Sequence, residues 1–242
     1  MISKNEIKYI QTLYQKKHRT AERLFIAEGR KLVGDLLQSS FKVHQLYALP
    51  SWQPPVSYQL PITIINEATL QKISSVDAPQ QVVGIFHLPQ GRPLPTPNTK
   101  PVIVLDSIQD PGNLGTIIRT ADWFGFEHIV ASEHTVDCFN PKTIQATMGS
   151  IARVQVHYTS LATYLPLWKV VYGALLNGVN MYDWQPEQAA AIVIGNEGKG
   201  ISDALHPLVS QAVTIPKFGG AESLNAAMAA GIIIARYKQV WP

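Results

Sequence analysis

The segment PVIVLDSIQDPGNLGTIIRTAD, residues 101–122, joins two patterns that together indicate an α/β fold. PVIVLD is a continuous apolar run that ends at Asp106, which is typical of a strand buried on both faces. The apolar residues that follow recur at helical spacing, namely Leu114, Ile117, Ile118, Ala121 and Phe124. Because a helix follows a doubly buried strand, the segment predicts a mainly parallel sheet covered by helices.

The chain after this segment repeats the alternation of strand and helix. Further strands are predicted at HIVAS, RVQVHY, VVYGALL, AAIVIG and AVTIP, with helical patterns between most of them. Loops at the carboxyl ends of such strands meet at one edge of the sheet, so a ligand is expected there. A last helix, predicted from about residue 222 to 239, has a small and apolar face formed by Leu224, Ala227, Met228, Gly231, Ile232 and Ala235.

The chain before this segment is predicted to form a smaller α/β unit. FIAEGRKLVGDLLQSS has helical spacing, and HQLYAL, ITIIN and VVGIFHL are strand candidates. HLPQGRPLPTPNTKP, which follows, contains five prolines and favours an extended connection. The predicted division is therefore a first domain at 1–88, a proline-rich linker at 89–100 and a second domain at 101–242.

Composition excludes several classes of protein. The longest stretch without a polar side chain is residues 226–235, whereas a bilayer helix needs about 20 residues, so no membrane span is expected. The charged N-terminus does not resemble a signal peptide, and a cytoplasmic location is expected. Cys138 is the single cysteine, and it and the seven histidines have no metal-ligand spacing. No metal is predicted, and Trp123, Trp168 and Trp184 are predicted to be core residues.

Positive charge is concentrated at the front of the chain. Residues 1–31 contain eight Lys or Arg against three acids, a balance of +5, although the whole chain carries only +3. Such a segment can bind phosphate backbones. Solvated faces of surface helices explain the same charges, and charge alone does not decide between the two interpretations.

Three predicted strands are followed by loops that combine glycine with polar side chains. The first contains Asn113, the predicted N-cap of its helix, and Arg119; the second is residues 195–200, GNEGKG; the third is residues 217–225, KFGGAESLN. Each loop taken alone is explained by a turn or a helix cap, with Ser223 as a cap. Glu197 and Asn225 fit that explanation less well, because neither is demanded by turn or helix chemistry.

Taken in order, these loops resemble the three motifs of the SpoU (TrmH-type) RNA ribose methyltransferases of the SPOUT superfamily. The motifs are N-x-G-x-x-x-R at 113–119, IGNEGKGI at 194–201 and IPKFGGAESLNAAMAAGI at 215–232. The resemblance covers residues 101–242. FIAEGRKLVGDLL in turn looks like the substrate-binding domain that often precedes this catalytic domain and is similar to a small ribosomal RNA-binding protein.

The resemblance implies a trefoil-knotted, mainly parallel α/β domain that binds S-adenosyl-L-methionine in the knot. The matching cofactor-binding positions are Leu176, Gly178, Gly195, Ile215 and Leu224. It also implies a homodimer, which would account for the smooth face of the last helix.

The implied reaction is methylation of a ribose 2′-hydroxyl in structured RNA, with Arg119 as the catalytic residue. A guanidinium stays protonated and cannot act as a base, so Arg119 is expected to bind a phosphate or the developing alkoxide. Positioning is expected from Asn113, Glu197, Ser223 and Asn225, and for Glu197 bracing of the loops is favoured over proton transfer. RNA affinity is assigned to the basic segment, through Lys16, Lys17, Arg19, Arg30 and Lys31.

Three alternatives to this function stay open. The accessory domain favours ribosomal over transfer RNA by family analogy alone, so a transfer RNA substrate is the first alternative. The second is an RNA-binding or ribosome-assembly factor that retains the fold without catalysis. The third is a relative that methylates a base nitrogen, against which the Asn-to-Arg spacing argues.

Overall fold

A computed structural model describes residues 2–56, 59–91, 93–97 and 100–242. The chain forms two compact units. The first unit is Met1–Gly91 with Asp137–Ala152, and the second is Arg92–Val136 with Arg153–Pro242. The predicted linker at 89–100 lies partly outside the described residues.

The first unit is built on a four-stranded sheet of order β1-β4-β2-β3. Strand β4 pairs antiparallel with both β1 and β2, and the short edge strand β3 pairs parallel with β2. The strands are β1 Leu24–Glu28, β2 Val43–Ala48, β3 Ile62–Ile64 and β4 Val82–His87. The helices are α1 Lys4–Thr12, α2 Lys16–Glu22, α3 Arg30–Leu37, α4 Glu67–Ile73 and, from later in the chain, α6 Pro141–Thr147.

Strand β1 and helix α4 are elements of the first unit that the sequence patterns missed. All five residues of β1 are buried, and they include Glu28. The Glu28 carboxylate is satisfied by the hydroxyls of Tyr14, Ser74 and Ser75 and by the Ser75 amide. Burial and the neighbouring carboxylate raise the pKa of Tyr14 above its usual range, so its hydroxyl stays a donor to Glu28.

The second unit contains a six-stranded sheet of order β10-β8-β9-β5-β6-β7, in which every neighbouring pair is parallel. The strands are β5 Val102–Leu105, β6 His128–Ala131, β7 Gln155–Tyr158, β8 Val171–Asn180, β9 Ala191–Ile194 and β10 Gln211–Thr214. The helices are α5 Pro111–Trp123, α7 Leu161–Tyr164 and α8 Ala226–Val240. Strands β5 and β9 are buried along their whole length. The predicted α/β fold with a mainly parallel sheet is confirmed.

The segment Asp137–Ala152, which connects β6 to β7, belongs to the first unit. Phe139 packs against Phe25 with ring centroids 4.9 Å apart, and Phe41 completes the aromatic cluster. The compact first unit therefore contains a segment that the predicted division places within 101–242.

Arg19 holds the start of this segment by a buried ion pair. Its side chain is 2% exposed, and its Nη2 donates to the Asp137 carboxylate over 2.6 Å. Its Nη1 donates to the carbonyls of Leu13 and Tyr14. Arg19 therefore cannot contact RNA from this position, and we remove it from the predicted RNA-binding set.

The three tryptophans predicted as core residues differ in their positions. Trp168 and Trp184 are buried, whereas Trp123 is 84% exposed at the last position of α5. The prediction is wrong for Trp123 because it continues the outward stripe of α5 rather than its buried stripe. Cys138 is buried. No helix of the described chain has the length and apolar character needed to cross a membrane.

We expect Asp137→Ala to lower the free energy of unfolding by about 3 kcal/mol, because it leaves the Arg19 guanidinium buried without its partner. Urea unfolding measures the change. The matched control is Glu127→Ala, which removes an ion pair with Lys100 that is more than half exposed on both sides and should cost less than about 1 kcal/mol. Equal effects of the two substitutions would contradict the structural role assigned to Arg19.

Candidate active site

Three polar loops lie at one edge of the parallel sheet of the second unit. The loop after β5 leads to Asn113, the loop after β9 contains Glu197, and the loop after β10 ends at Asn225. Since all six strands run in the same direction, their carboxyl ends share this edge. The structure thus brings the three predicted motifs together.

Glu197 is the centre of the hydrogen bonds that join these loops. Its carboxylate accepts from the Asn113 side-chain amide over 3.0 Å and from the backbone amides of Gln109 and Asp110 over 3.3 Å. The side chain of Asn196 adds a fourth donor at 3.3 Å. One carboxylate from the β9 loop therefore fixes the backbone that leads into α5.

These donors determine the ionisation state of Glu197. Partial burial alone would raise the pKa of Glu197, but the hydrogen bonds from Asn113 and from backbone amides outweigh it and hold the pKa below its ordinary value. A carboxylate with a lowered pKa is a weak base. The arrangement therefore suits bracing better than proton transfer.

Asn113 and Asn225 connect Glu197 to the last helix. The Asn225 side-chain amide donates to the Asn113 carbonyl oxygen over 2.8 Å, while the Asn113 amide group donates to Glu197. Neutral amides can make such a relay because each both donates and accepts. Asn225, Asn113 and Glu197, which we call the polar relay, join the third, first and second motifs in that order.

The caps of both helices differ from the predicted ones. Asp110, not Asn113, caps α5 by accepting from the Asn113 amide over 2.7 Å, with Pro111 in the first turn. Helix α8 begins at Ala226 rather than near residue 222, and its cap is Asn225 instead of Ser223. The Asn225 side-chain oxygen accepts from the first-turn amides, which explains an asparagine at this position.

Helices α5 and α8 run side by side in the same direction away from this edge. Asn113 meets Asn225 at their starts, and Thr120 Cγ2 lies 3.8 Å from where a Cβ on Gly231 would sit. Further along, the rings of Phe126 and Tyr237 pack with centroids 6.0 Å apart. Both helix N-termini, which carry partial positive charge, therefore lie beside the polar relay.

Arg119 and Ser223 lie outside the polar relay. Arg119 is exposed on α5, and within the described chain it has no hydrogen bond or ion pair. It lies six residues after Asn113, about 9 Å further along the helix axis. Its guanidinium is thus available to a ligand. Ser223 is exposed in the loop before α8.

Two of the predicted cofactor positions, Gly195 and Gly178, lie where neighbouring backbone approaches very closely. A Cβ on Gly195 would lie 2.2 Å from the Gly200 carbonyl carbon, and one on Gly178 would lie 2.6 Å from the backbone of Ala212. Both positions therefore require glycine. Leu176 and Leu224 are 74% and 47% exposed, and Ile215 is half-buried.

Strand β8 carries an irregularity around these positions. Gly173 pairs with Ala212, but Val179 pairs with the next residue of β10, Val213, so residues 174–178 have no partner in that ladder. The Leu175 carbonyl there accepts from the Thr214 hydroxyl, and the other peptide groups of this stretch lack ladder partners on the β10 side, beside apolar side chains. Backbone donors and acceptors with apolar neighbours fit a nucleoside-containing cofactor such as S-adenosylmethionine.

The sequence patterns assigned no role to two residues that shape the loops. The buried Asp106 carboxylate accepts from the Ser202 amide over 2.8 Å and from the Ser107 hydroxyl. Asn196 accepts from the amides of Gly198 and Lys199 and donates to the Ser107 carbonyl. An asparagine at the start of a glycine-rich turn is a signal for such a bond. Among the described residues, no three His, Cys, Asp or Glu side chains could hold a metal ion together.

Comparison with known families identifies the class of this chain. The SpoU rRNA Methylase family model matches residues 100–235, and the MRM3-like substrate binding domain model matches residues 4–84. The chain is 33% identical, over 96% of both proteins, to the 23S rRNA (guanosine(2553)-2′-O)-methyltransferase of Bacillus subtilis. The chain belongs to the SpoU rRNA methylase family, as its three motifs predicted.

Solved structures agree with this assignment. An RNA methyltransferase of the TrmH family from Porphyromonas gingivalis is 35% identical, with a TM-score of 0.87 over 98% of both chains. An AdoMet-bound rRNA methyltransferase from Sinorhizobium meliloti is 32% identical, with a TM-score of 0.88 over 99% of this chain and 96% of that one.

We expect Glu197→Gln to lower the free energy of unfolding by on the order of 1 kcal/mol at pH 7, because an amide nitrogen would face backbone donors. The pKa of Glu197 is lowered in the folded protein, so its carboxylate stabilises the fold above about pH 4. That contribution is lost as the pH falls through the depressed pKa. Urea unfolding at several pH values should therefore show the two proteins converging in acid; a constant difference would argue against an ionised brace.

Proposed function

We propose that this protein transfers a methyl group from S-adenosylmethionine to a ribose 2′-hydroxyl of ribosomal RNA. The observation that carries the proposal is the exposed guanidinium of Arg119. It lies between one and two turns along α5 from a polar relay that is built from all three motifs. The family supports the reaction, and the relatives from Bacillus subtilis and Sinorhizobium meliloti are rRNA methyltransferases.

Arg119 activates the hydroxyl without removing its proton itself, and the proton passes to an RNA phosphate oxygen or to water. A sugar hydroxyl is a weak nucleophile until it loses proton density, and a nearby fixed cation lowers its pKa. The guanidinium binds the developing alkoxide or an adjacent phosphate by charge-assisted hydrogen bonds. S-adenosylmethionine, when bound, supplies an electrophilic methyl group for in-line displacement.

The polar relay positions Arg119 rather than reacting. Glu197 fixes the backbone that leads into α5 through the amides of Gln109 and Asp110, and Asn225 fixes α8 against the same helix through Asn113. Both helices therefore keep one register beside the substrate. Ser223 is exposed before α8, and its proposed role is to donate to the ribose or the cofactor.

Cofactor binding is assigned to the irregular backbone at the sheet edge. Leu176 and Gly178 belong to the stretch of β8 without partners in the β10 ladder, Gly195 follows β9 and lies against the backbone of Gly200, and Ile215 and Leu224 add apolar surface. This set fits a ligand with an adenine ring and polar ends. Loss of S-adenosylmethionine binding on Gly195→Ala would be the expected consequence of the close approach there.

The proposed domain is a trefoil knot formed by the C-terminal part of the chain. Support comes from the C-terminal half of α8, which is held against the connection between β8 and β9. Arg236 donates to the carbonyls of Met181 and Trp184, and Trp241 donates to that of Pro186. In a trefoil knot the C-terminal helix passes through a loop formed by an earlier connection, and these hydrogen bonds would hold that connection to the helix. A crystal structure in which the chain does not pass through such a loop would contradict the knot.

A homodimer is proposed through the outward faces of α5 and α8. Met228, Gly231, Ile232 and Ala235 form a small, apolar stripe that is exposed or half-buried, and Trp123 adds a large exposed ring. Such a stripe permits close helix packing, and Arg119 lies on the same outward stripe of α5 as Trp123. The partner would thus border the active site; a single species of 26.7 kDa in sedimentation would contradict it.

The first unit is proposed to bind the RNA. Helix α3 begins without a side-chain cap and has no acid in its first turn, yet that turn carries the exposed cations Arg30 and Lys31. Two cations at the positive end of a helix repel its dipole, and an RNA phosphate would relieve this repulsion. Lys16 and Lys17, exposed at the uncapped start of α2, extend the basic surface.

The proposed division of labour follows the two domains, with substrate binding within 1–88 and methyl transfer within 101–242. Ribosomal RNA is favoured over transfer RNA because the relatives from Bacillus subtilis and Sinorhizobium meliloti are rRNA methyltransferases, and a cytoplasmic location is proposed. A non-catalytic RNA-binding factor is the alternative, and a wild-type protein that binds RNA without methylating it would support that alternative.

We expect Arg119→Ala to lower kcat for RNA methylation at least 100-fold, because the hydroxyl loses its only proposed activating cation. Arg119→Lys should recover part of the loss, since it keeps the charge without the planar fork. Lys169→Ala, an exposed cation just before β8, is the matched control and should retain activity. Calorimetry should show near-normal S-adenosylmethionine affinity in all three; an active Arg119→Ala enzyme would refute the mechanism.

We expect the double variant Arg30→Ala/Lys31→Ala to weaken RNA binding and to reduce the slope of log affinity against log salt by about 1 to 2 units. The control pair is Lys42→Ala/Lys72→Ala, exposed cations of the same unit outside the basic segment. Filter binding from 50 to 200 mM salt measures both. Point substitutions are preferred to deletion of residues 1–90, because deletion would expose Phe139 and leave Asp137 unpaired. Identical slopes for both pairs would refute the assignment.

A further inference from the structure

The loop between β10 and α8 is an exposed segment fixed at both ends. Every residue from Lys217 to Asn225 is exposed. Before the loop, the Thr214 hydroxyl donates to the Leu175 carbonyl, and at its end Asn225 donates to Asn113. The loop therefore projects from the sheet edge that carries the candidate active site, and its two ends are held by that site.

Phe218 is the most exposed large apolar side chain of this loop. It is 89% exposed, and no large apolar side chain that the structure describes is more exposed. Its ring belongs to none of the aromatic pairs in the described chain. Gly219 and Gly220 follow it, and a Cβ built on either would meet nothing within 4 Å. The faces of the ring are thus accessible to a flat partner.

Lys217, the exposed neighbour of Phe218, gives the loop a charge that suits nucleic acid. An aromatic face next to a cation is the combination with which proteins bind unpaired RNA, since the ring stacks on a base and the cation meets the backbone phosphate. A lipid or an apolar peptide would require a broader apolar surface than one ring flanked by glycines.

We propose that Phe218 stacks on an unpaired nucleobase next to the target ribose, and that Lys217 pairs with a neighbouring phosphate. The inference rests on the proposed RNA methylation and adds a substrate contact made by the second unit itself. Stacking holds the nucleotide out of a helical stack, which leaves its 2′-hydroxyl accessible to the candidate active site. Phe218 is therefore a positioning residue, and Lys217 adds electrostatic affinity.

The test compares Phe218→Ala, Phe218→Trp and Lys217→Ala in the full-length enzyme, using a ribosomal RNA fragment that the wild type methylates. Phe218→Ala should raise KM for RNA about fivefold or more at every salt concentration, because stacking carries no counterion release. Phe218→Trp should restore KM. Lys217→Ala should reduce the salt dependence of RNA affinity by about one unit. Leu167→Ala, an apolar residue 58% exposed just before β8, is the matched control.

A second readout separates stacking from a structural role. With 2-aminopurine placed next to the methylated nucleotide, the wild type and Phe218→Trp should quench its fluorescence, and Phe218→Ala should not. Unchanged KM and quenching in Phe218→Ala would overturn the inference while leaving the methylation intact. A changed S-adenosylmethionine affinity or a changed sedimentation mass would also overturn it, because the ring would then serve the cofactor or the dimer. Absence of methylation by the wild type would instead refute the proposed function.

Discussion

The ionised carboxylate of Glu197 is the constraint on which the candidate active site depends. It comes from the loop after β9, yet the groups it binds belong to the loop after β5 and to the first turn of α5. Without this anion, three hydrogen-bond donors at the start of α5 would lose their shared acceptor, at the end of the helix that carries partial positive charge. The bond from Asn225 to Asn113 extends the same constraint to α8. One charge thereby sets the register of two helices and of three loops.

The sequence predicted the sheet of the second unit well because its strands are strongly apolar and separated by clear turns. Every predicted strand there is present, although β8 continues to Asn180, beyond the predicted VVYGALL. The extension is explained by pairing with β10, which resumes after residues 174–178. This shift in register depends on the pairing of two strands, so no pattern within one strand indicates it.

Two of the failures arise because tertiary contacts decide the outcome, and the others arise from competing local signals. Strand β1 was hidden because five consecutive buried residues show no alternation and run directly into α3. Arg19 resembled a solvated cation because its partner, Asp137, lies 118 residues away. The helix caps shifted because Asp110 and Asn225 compete with nearby Asn113 and Ser223, all suitable caps. Trp123 was misplaced because size predicts burial only on average.

The placement of residues 137–152 in the first unit has a consequence for synthesis on the ribosome. Chains emerge from the N-terminus, and domains generally fold as they emerge. Here the contact of Phe25 with Phe139 and the ion pair of Arg19 with Asp137 form only after more than 110 further residues have been made. While β5, α5 and β6 are synthesised, the apolar surface of the first unit that later contacts residues 137–152 stays uncovered. Contacts between residues so far apart in the sequence slow folding. The first unit is therefore completed only after part of the second unit has been synthesised.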